Sequence, residues 1–359
     1  MGRQLKYERV KSFLLQKMEA GELKPGDRVP SEDEYAKLFG GVSTITVRKA
    51  YTELVAEGYL VRIKGKGTFI CEKSAPQESK STSRLIALLL STEDYLDASY
   101  MQIIRGAQAM LSSFGYSLII EWSDKDPQKE KEVIRKILSH DVEGAMLYPF
   151  DPQGSRENLK AFEDEKIPVV MIDRYDAENP CPYFVGCDNT DASMQAVEAL
   201  LKLGHRRIRF VSYDFFLSSE QARFDGYCTA MRHAGYTVQA EDLLSHRDMD
   251  RLVEAVRTGA CTALVCCNDK LAGKVLHVLL ENGVRIPEEV SVFGFDDWEK
   301  NRELPMGLST MRQDFEEIGG MAANLLCSVI QGHFKKGRKE FLSKAELLLR
   351  DTVGPAPEK

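Results

Sequence analysis

Residues 39–70, FGGVSTITVRKAYTELVAEGYLVRIKGKGTFI, hold the change of pattern that decides the architecture of the N-terminal region. Ser43 stands ahead of an apolar repeat at helical spacing, Val47, Ala50, Tyr51 and Leu54. This predicts a helix with a serine N-cap and one buried face, closed by Gly58. The period then shortens to two. Val61 and Ile63 alternate with Arg62 and Lys64, the chain turns at Gly65 to Gly67, and it returns through Phe69, which predicts a β-hairpin.

Upstream, Val10, Phe13, Leu14 and Met18 recur at helical spacing and stop at Gly21, predicting a first helix. PSEDEYAKLF (30–39) supplies a second, with Ser31 and Glu34 placed to form a capping box. Three helices followed by a hairpin make a winged helix-turn-helix. The first turns of the third helix of such a unit enter the major groove. Here they carry Ser43, Thr44, Ile45, Thr46, Arg48 and Lys49. Hydroxyls bond phosphate or base, Ile45 suits a thymine methyl, and Arg48 and Lys49 neutralise phosphate. Lys64, Gly65 and Lys66 form a thin basic wing tip for phosphates or a minor groove. A charged helix alone is more often just solvated, but a hairpin in the right place favours DNA.

Charge supports this division. Residues 1–73 contain 14 Lys+Arg and 10 Asp+Glu, a balance of +4; subtracting these from the 48 and 55 of the whole chain leaves 34 and 45, a balance of −11. A small basic module precedes a large acidic one. Between them EKSAPQESKSTS (72–83) is polar, lacks apolar periodicity and reads as a linker. Three segments follow from this: a DNA-binding domain at 1–71, a second domain at 84–353, and a tail at 354–359.

Beyond the linker, apolar strands at 85–90, 116–121, 144–148, 168–172, 207–212, 262–267 and 290–295 alternate with helical stretches. This predicts α/β structure with parallel sheets, long enough for two lobes, with ligand groups at the carboxyl ends of strands. Five polar stretches are read at such ends. They hold Asp173 in MIDRYD, Arg223 in ARFDGY, Asn268 and Asp269 in CCNDKLAG, Asp296 in VFGFDDWE, and Gln313 in STMRQDF. Carboxylates, amides and a guanidinium suit a hydroxyl-rich ligand, and Phe315 or Trp298 suits its apolar face. Each has an ordinary alternative: a helix cap for Asp296 or Asp297, a surface ion pair for Arg223, a strand terminus for Asn268.

Residues 5–70 resemble the N-terminal domain of GntR-family transcriptional regulators, through LKPGDRVPSEDEYAKLF, VSTITVRKAYTELVAEGYL and GKGTFI. The resemblance marks Lys6, beside Tyr7, as a phosphate contact. The chain departs from the family in two ways: Gly40 and Gly41 stand where one residue is usual, and Thr44 and Asp33 occupy positions that commonly carry Arg. The family's usual operator is therefore not implied. The second module resembles the effector domain of the LacI and galactose repressor family, built like the periplasmic sugar-binding proteins. The similarity runs from Leu85 to Val353 and includes LLKLGHRRIRFV and AELLLRDT. It places Asp173, Arg223, Asn268, Asp296 and Gln313 at effector contacts and implies discontinuous lobes joined by three crossings. The lobe-one strand ends near Tyr95 to Tyr100 and Tyr148 are less diagnostic. The joined architecture resembles the arabinose-responsive repressor subgroup, and the linker shows no hinge helix.

These readings imply a homodimeric repressor on double-stranded operator DNA, released by a monosaccharide, either an arabinose-like pentose or a hexose. A purine or other metabolite, or a co-repressor mode, is the alternative. No dinucleotide or P-loop glycine motif, metalloprotease motif or nucleophile elbow occurs, so no enzyme and no cofactor are expected. The eight cysteines form no C-x-x-C pair, and Cys266 and Cys267 sit in an apolar run, suiting buried thiols better than a metal site. With no apolar run of about 18 residues and no signal-like start, no membrane contact and a cytoplasmic location are expected.

Overall fold

The computed structural model describes residues 6–358 apart from 25, 39–41, 57–58, 64–66, 71–82, 96, 152, 177, 179–180, 214–216, 299, 301–302 and 335–336. Helices α1 (Lys6–Glu19), α2 (Glu32–Leu38) and α3 (Thr44–Ala56) pack with strands β1 (Arg28–Val29), β2 (Leu60–Ile63) and β3 (Gly67–Ile70), paired in the order β1-β3-β2. The capping box forms as the sequence predicts: the Ser31 amide donates to Glu34 Oε2 at 2.8 Å and the Glu34 amide to Ser31 Oγ at 3.3 Å. Val47, Ala50, Tyr51 and Leu54 are wholly buried against Val10 and Leu14.

Two details differ from the periodicity. Phe13 is 38% exposed, because α1 turns Val10 and Leu14 inward and leaves Phe13 beside that face under the Lys17 ammonium. In the hairpin the buried pair is Leu60 and Ile70, which face each other in register, while Val61 is half-buried. A one-residue change of phase sends every side chain of a strand to the other face.

The second module has two lobes. In lobe one, β4 (Leu85–Leu90), β5 (Ser117–Trp122), β6 (Gly144–Tyr148), β7 (Val169–Ile172), β8 (Tyr183–Cys187) and β14 (Lys339–Ser343) form a parallel sheet in the order β14-β8-β7-β6-β4-β5. Its helices are α4 (Ala98–Ser113), α5 (Pro127–Leu138), α6 (Arg156–Asp164) and α11 (Phe315–Ile330). In lobe two, β9 (Ile208–Ser212), β10 (Leu243–Ser245), β11 (Ala263–Cys266), β12 (Ser291–Asp296), β13 (Ser309–Arg312) and β15 (Glu346–Leu348) run β10-β9-β11-β12-β13-β15. All are parallel except the edge strand β15. Its helices are α7 (Asn189–Lys202), α8 (Ser218–His233), α9 (Met249–Arg257) and α10 (Asp269–Glu281). The chain changes lobe after β8, β13 and β14, so lobe one closes only when α11 and β14 return to it.

α4 and α11 approach so closely that a Cβ at Gly106 would strike the Glu316 carbonyl, and one at Gly319 the Ile103 carbonyl. Cys266 and Cys267 are buried free thiols. Past residue 353 the chain rests on lobe two: buried His205 lies 3.0 Å from the Gly354 carbonyl through Nε2, and the Ala356 amide donates to Leu203 at 2.9 Å. No helix among the described residues is long and apolar enough to cross a membrane.

Candidate functional site

At the head of α3, Ser43 caps through Oγ, which receives the Thr46 amide at 3.3 Å and lies 2.9 Å from the Thr46 hydroxyl. Thr44 donates its hydroxyl to Asp33 Oδ1 at 3.1 Å. The two positions that depart from the family pattern thus touch each other. Arg48 is 62% exposed, yet its Nε donates to Glu32 Oε2 at 2.7 Å, and the Lys49 ammonium stands 4.0 Å over the Tyr7 ring. Neither is a freely waving cation; each is held by a neighbouring helix. Lys6 and Ile45 belong to α1 and α3, with side chains outside the described set, and Lys64, Gly65 and Lys66 lie outside the described residues. Glu32 and Asp33, which hold this surface, were not picked out as site residues, because an acidic first turn reads as ordinary helix-dipole compensation.

The second site lies between the lobes. Arg223 does not stand at a strand end, as the sequence suggests, but inside α8, and reaches out from the helix. It is 4% exposed and donates to Asn189 Oδ1 at 2.8 Å, to the Cys267 carbonyl, and to Asp296 Oδ1 at 3.2 Å, with its guanidinium 3.8 Å from the Phe295 ring centre. Gln313 Nε2 donates to the same Asp296 oxygen at 2.7 Å. Burial pushes the Asp296 carboxyl up, against the pull of Arg223 and Gln313. From lobe one, Asp173 Oδ2 receives the Tyr148 hydroxyl at 2.8 Å and Arg174 Nε at 3.3 Å. Asp173 and Asp296 both have positive φ, 64° and 115°, a strain associated with functional turns at strand ends.

A cavity of about 320 Å³ adjoins these groups, lined by Ala98, Ser99 and Gln102 of α4 and by Asp296, Asp297, Arg312, Gln313 and Phe315. Its volume is at the lower end of small-molecule sites. Asp173 and Arg223 do not line it; Arg223 backs its Asp296 wall. A larger open groove of about 410 Å³ between α4 and α11 contains none of the predicted residues.

Asn268 and Asp269 are committed to structure. Asn268 caps α10 by accepting the Leu271 amide at 2.9 Å. Asp269 accepts the Thr310 hydroxyl and the Trp298 amide, both at 2.8 Å, and burial, aided by Asp296, raises its pKa to about 7. Residues overlooked in the sequence are Arg174, Asn189 and Asp97. Asn189 follows β8 in CDNTD, the strand-end context that marked the others, but β8 itself was not recognised. Among the described residues no His/Cys/Asp/Glu group is arranged to hold a metal ion.

A winged-helix reader joined to a two-lobed domain with a polar interlobe cleft defines a DNA-binding transcriptional regulator of the ligand-controlled type. The pattern of bacterial regulatory proteins of the gntR family matches residues 6–70, and that of the periplasmic binding protein-like domain matches residues 197–353. The arabinose metabolism transcriptional repressor of Halalkalibacterium halodurans is 30% identical over 368 residues, spanning 98% of this chain and 97% of that protein. Its counterpart in Geobacillus stearothermophilus is 29% identical over 362 residues, spanning 97% of each. The solved complex of the transcriptional regulator CelR with cellobiose shares the fold, with a TM-score of 0.67 at 21% identity over 88% of this chain and 92% of that one. The chain belongs to the family of transcriptional repressors that join a GntR-type winged helix-turn-helix to a periplasmic-binding-protein-like domain.

Proposed function

We propose that the chain is a homodimeric repressor that holds double-stranded operator DNA through α3 and the β2–β3 wing, and leaves it when a neutral monosaccharide occupies the interlobe cleft. The observation that carries the effector class is a buried acceptor with no donor on the cavity wall, Gln313 Oε1; a second such acceptor, Asp173 Oδ1, stands on lobe one outside that wall. A desolvated acceptor without a partner is costly, and ligand hydroxyls relieve it. The guanidiniums nearby are each already matched, Arg312 of the cavity wall with Glu346, Arg223 with Asp296, Arg174 with Asp173 and Arg350 with Asp297, so none of these four waits for a phosphate. An uncharged polyol fits this balance better than a sugar phosphate. The names of the full-length relatives favour arabinose among such sugars. A dimer pairs two readers on a two-fold operator, and sugar that prefers the closed lobes shifts the readers and weakens DNA binding. The ligand is returned unchanged.

A thermal-shift screen of the full chain against L-arabinose, hexoses, sugar phosphates and purines, repeated with Arg223→Ala, tests this reading. A neutral sugar that raises the midpoint, with the rise lost in the variant, supports it. A purine or phosphorylated ligand, or a rise indifferent to Arg223, overturns the effector class.

A further inference from the structure

We propose that Asp97, Trp298 and Lys270 form a clasp across the two lobes that positions the cleft wall for the effector, an inference that rests on reading the cleft as the effector site. Asp97 lies just ahead of α4 in lobe one and is 3% exposed. Its Oδ2 receives the Trp298 indole Nε1–H at 3.0 Å and the Lys270 ammonium at 3.0 Å, both from lobe two. Its other oxygen, Oδ1, caps α4 by accepting the Ser99 amide at 3.0 Å. One carboxylate therefore orders the first turn of α4 and ties that turn to the opposite lobe.

The rest of the clasp is equally anchored. The Lys270 ammonium stands 4.8 Å from the Trp298 ring centre, and the Trp298 amide donates to buried Asp269. Lys300 reaches Asp94 at 2.7 Å, a second tie between the same two loops. Lobe opening breaks all the cross-lobe bonds together, whereas the Ser99 cap and the Asp269 bond lie within a lobe and survive. The first turn of α4 is also the lobe-one wall of the cavity, through Ala98, Ser99 and Gln102, facing Asp296, Asp297 and Gln313. Asp97, Lys270 and Trp298 do not line that cavity themselves. They are positioning residues: the clasp fixes the spacing of the two walls and raises the population of the ligand-competent form, which lowers the apparent dissociation constant by the same factor.

The chain has two tryptophans, so Trp122→Phe leaves Trp298 as the sole indole reporter. In that background, without ligand, Asp97→Asn and Lys270→Met should each shift Trp298 emission to the red and increase its quenching by acrylamide. Emission and quenching unchanged in both variants would overturn the clasp. In the otherwise native chain, Asp97→Asn and Trp298→Phe should weaken L-arabinose binding by about tenfold in calorimetry, and operator affinity in the absence of sugar should rise rather than fall, because the closed form that the clasp favours is the one that leaves DNA. Equal sugar affinity in wild type and both variants would show that the clasp positions nothing. If wild type binds no sugar of the panel, the effector reading falls, and the ligand-free emission of Trp298 still decides whether the lobes are clasped.

Discussion

Arg223 and Asp296 meet at 3.2 Å between the middle of α8 and the end of β12, joining two elements 73 residues apart in sequence. Arg223 also holds Asn189 at the head of α7. Arg223→Ala leaves the partly exposed Asp296 carboxylate with Gln313 alone, a change that costs less than the loss of one partner from a fully buried pair, about 1–3 kcal/mol. Chemical denaturation should show a loss of this order, and calorimetry a loss of ligand binding. Gln313→Glu, which sets a second carboxylate against Asp296, should weaken the ligand while leaving the Arg223 contacts in place.

The Thr44 hydroxyl holds Asp33 at the head of the reading helix. A carboxylate there repels phosphate and accepts from a cytosine amino group, where the family's arginine would donate to guanine. Selection from random duplexes should recover a cytosine at one position of each half-site. Asp33→Ala should cut discrimination there by about tenfold, without changing the salt slope. Arg48→Ala, by contrast, should lower affinity for all sequences and reduce the salt slope by about one.

Asp269 supplies a pH signature. Its folded pKa is raised to about 7 by burial first and Asp296 second, well above the roughly 3.9 of an unfolded aspartate. Between these values the folded chain binds more protons than the unfolded one, so this group's contribution falls as pH rises from about 4 to about 7 and is flat beyond. Asp269→Asn keeps an acceptor for the Trp298 amide and reverses the other bond, its amide nitrogen donating to the Thr310 hydroxyl oxygen that donates to Asp269 in the wild type. Thermal midpoints across that range should fall less with pH in the variant than in wild type, the difference being largest above pH 7.

Gly319 admits the Ile103 carbonyl to the face of α11. Gly319→Ala should part α4 from α11 and lower stability by about 1–3 kcal/mol, the usual cost of overpacking a close contact. Gly320→Ala is a matched control, since a Cβ there has only ordinary contact at 3.6 Å with the Gly106 carbonyl. Thermal unfolding of the two variants separates steric cost from the gain in helix propensity that both share.

Most of the reader was legible because its signals are local. The Ser31–Glu34 box and the Ser43 cap lie within four residues of the amides they serve, and the repeat Val47, Ala50, Tyr51, Leu54 needs only one helix to define a face. The cleft was legible in part. Asp296 and Gln313 stand at the ends of β12 and β13, where the strand-end rule looks for them. Arg223 was identified by residue type and resemblance but assigned to the wrong kind of element, since a long side chain serves the cleft from a helix interior as well as from a loop. Strands β8, β10, β14 and β15 escaped notice: β10 and β15 have three residues each, and Gly186 in β8 and the Lys339–Glu340 pair in β14 break up the apolar run that marked the others.

The amino-acid sequence by itself determined the order of the modules, the winged-helix unit and the α/β character of the remainder, since caps, turns and apolar periods act over a few residues. Only the tertiary structure decided which polar residues find all their partners within their own lobe and which keep a group unmatched. Asn268 and Asp269 look the same in sequence as Asp173 and Asp296, yet the first two are satisfied by amides and hydroxyls of their own lobe, while Asp173 keeps an oxygen without a donor. The joining of Asp97 to Trp298 across 201 residues is likewise set by the closing of two lobes, which no local pattern encodes.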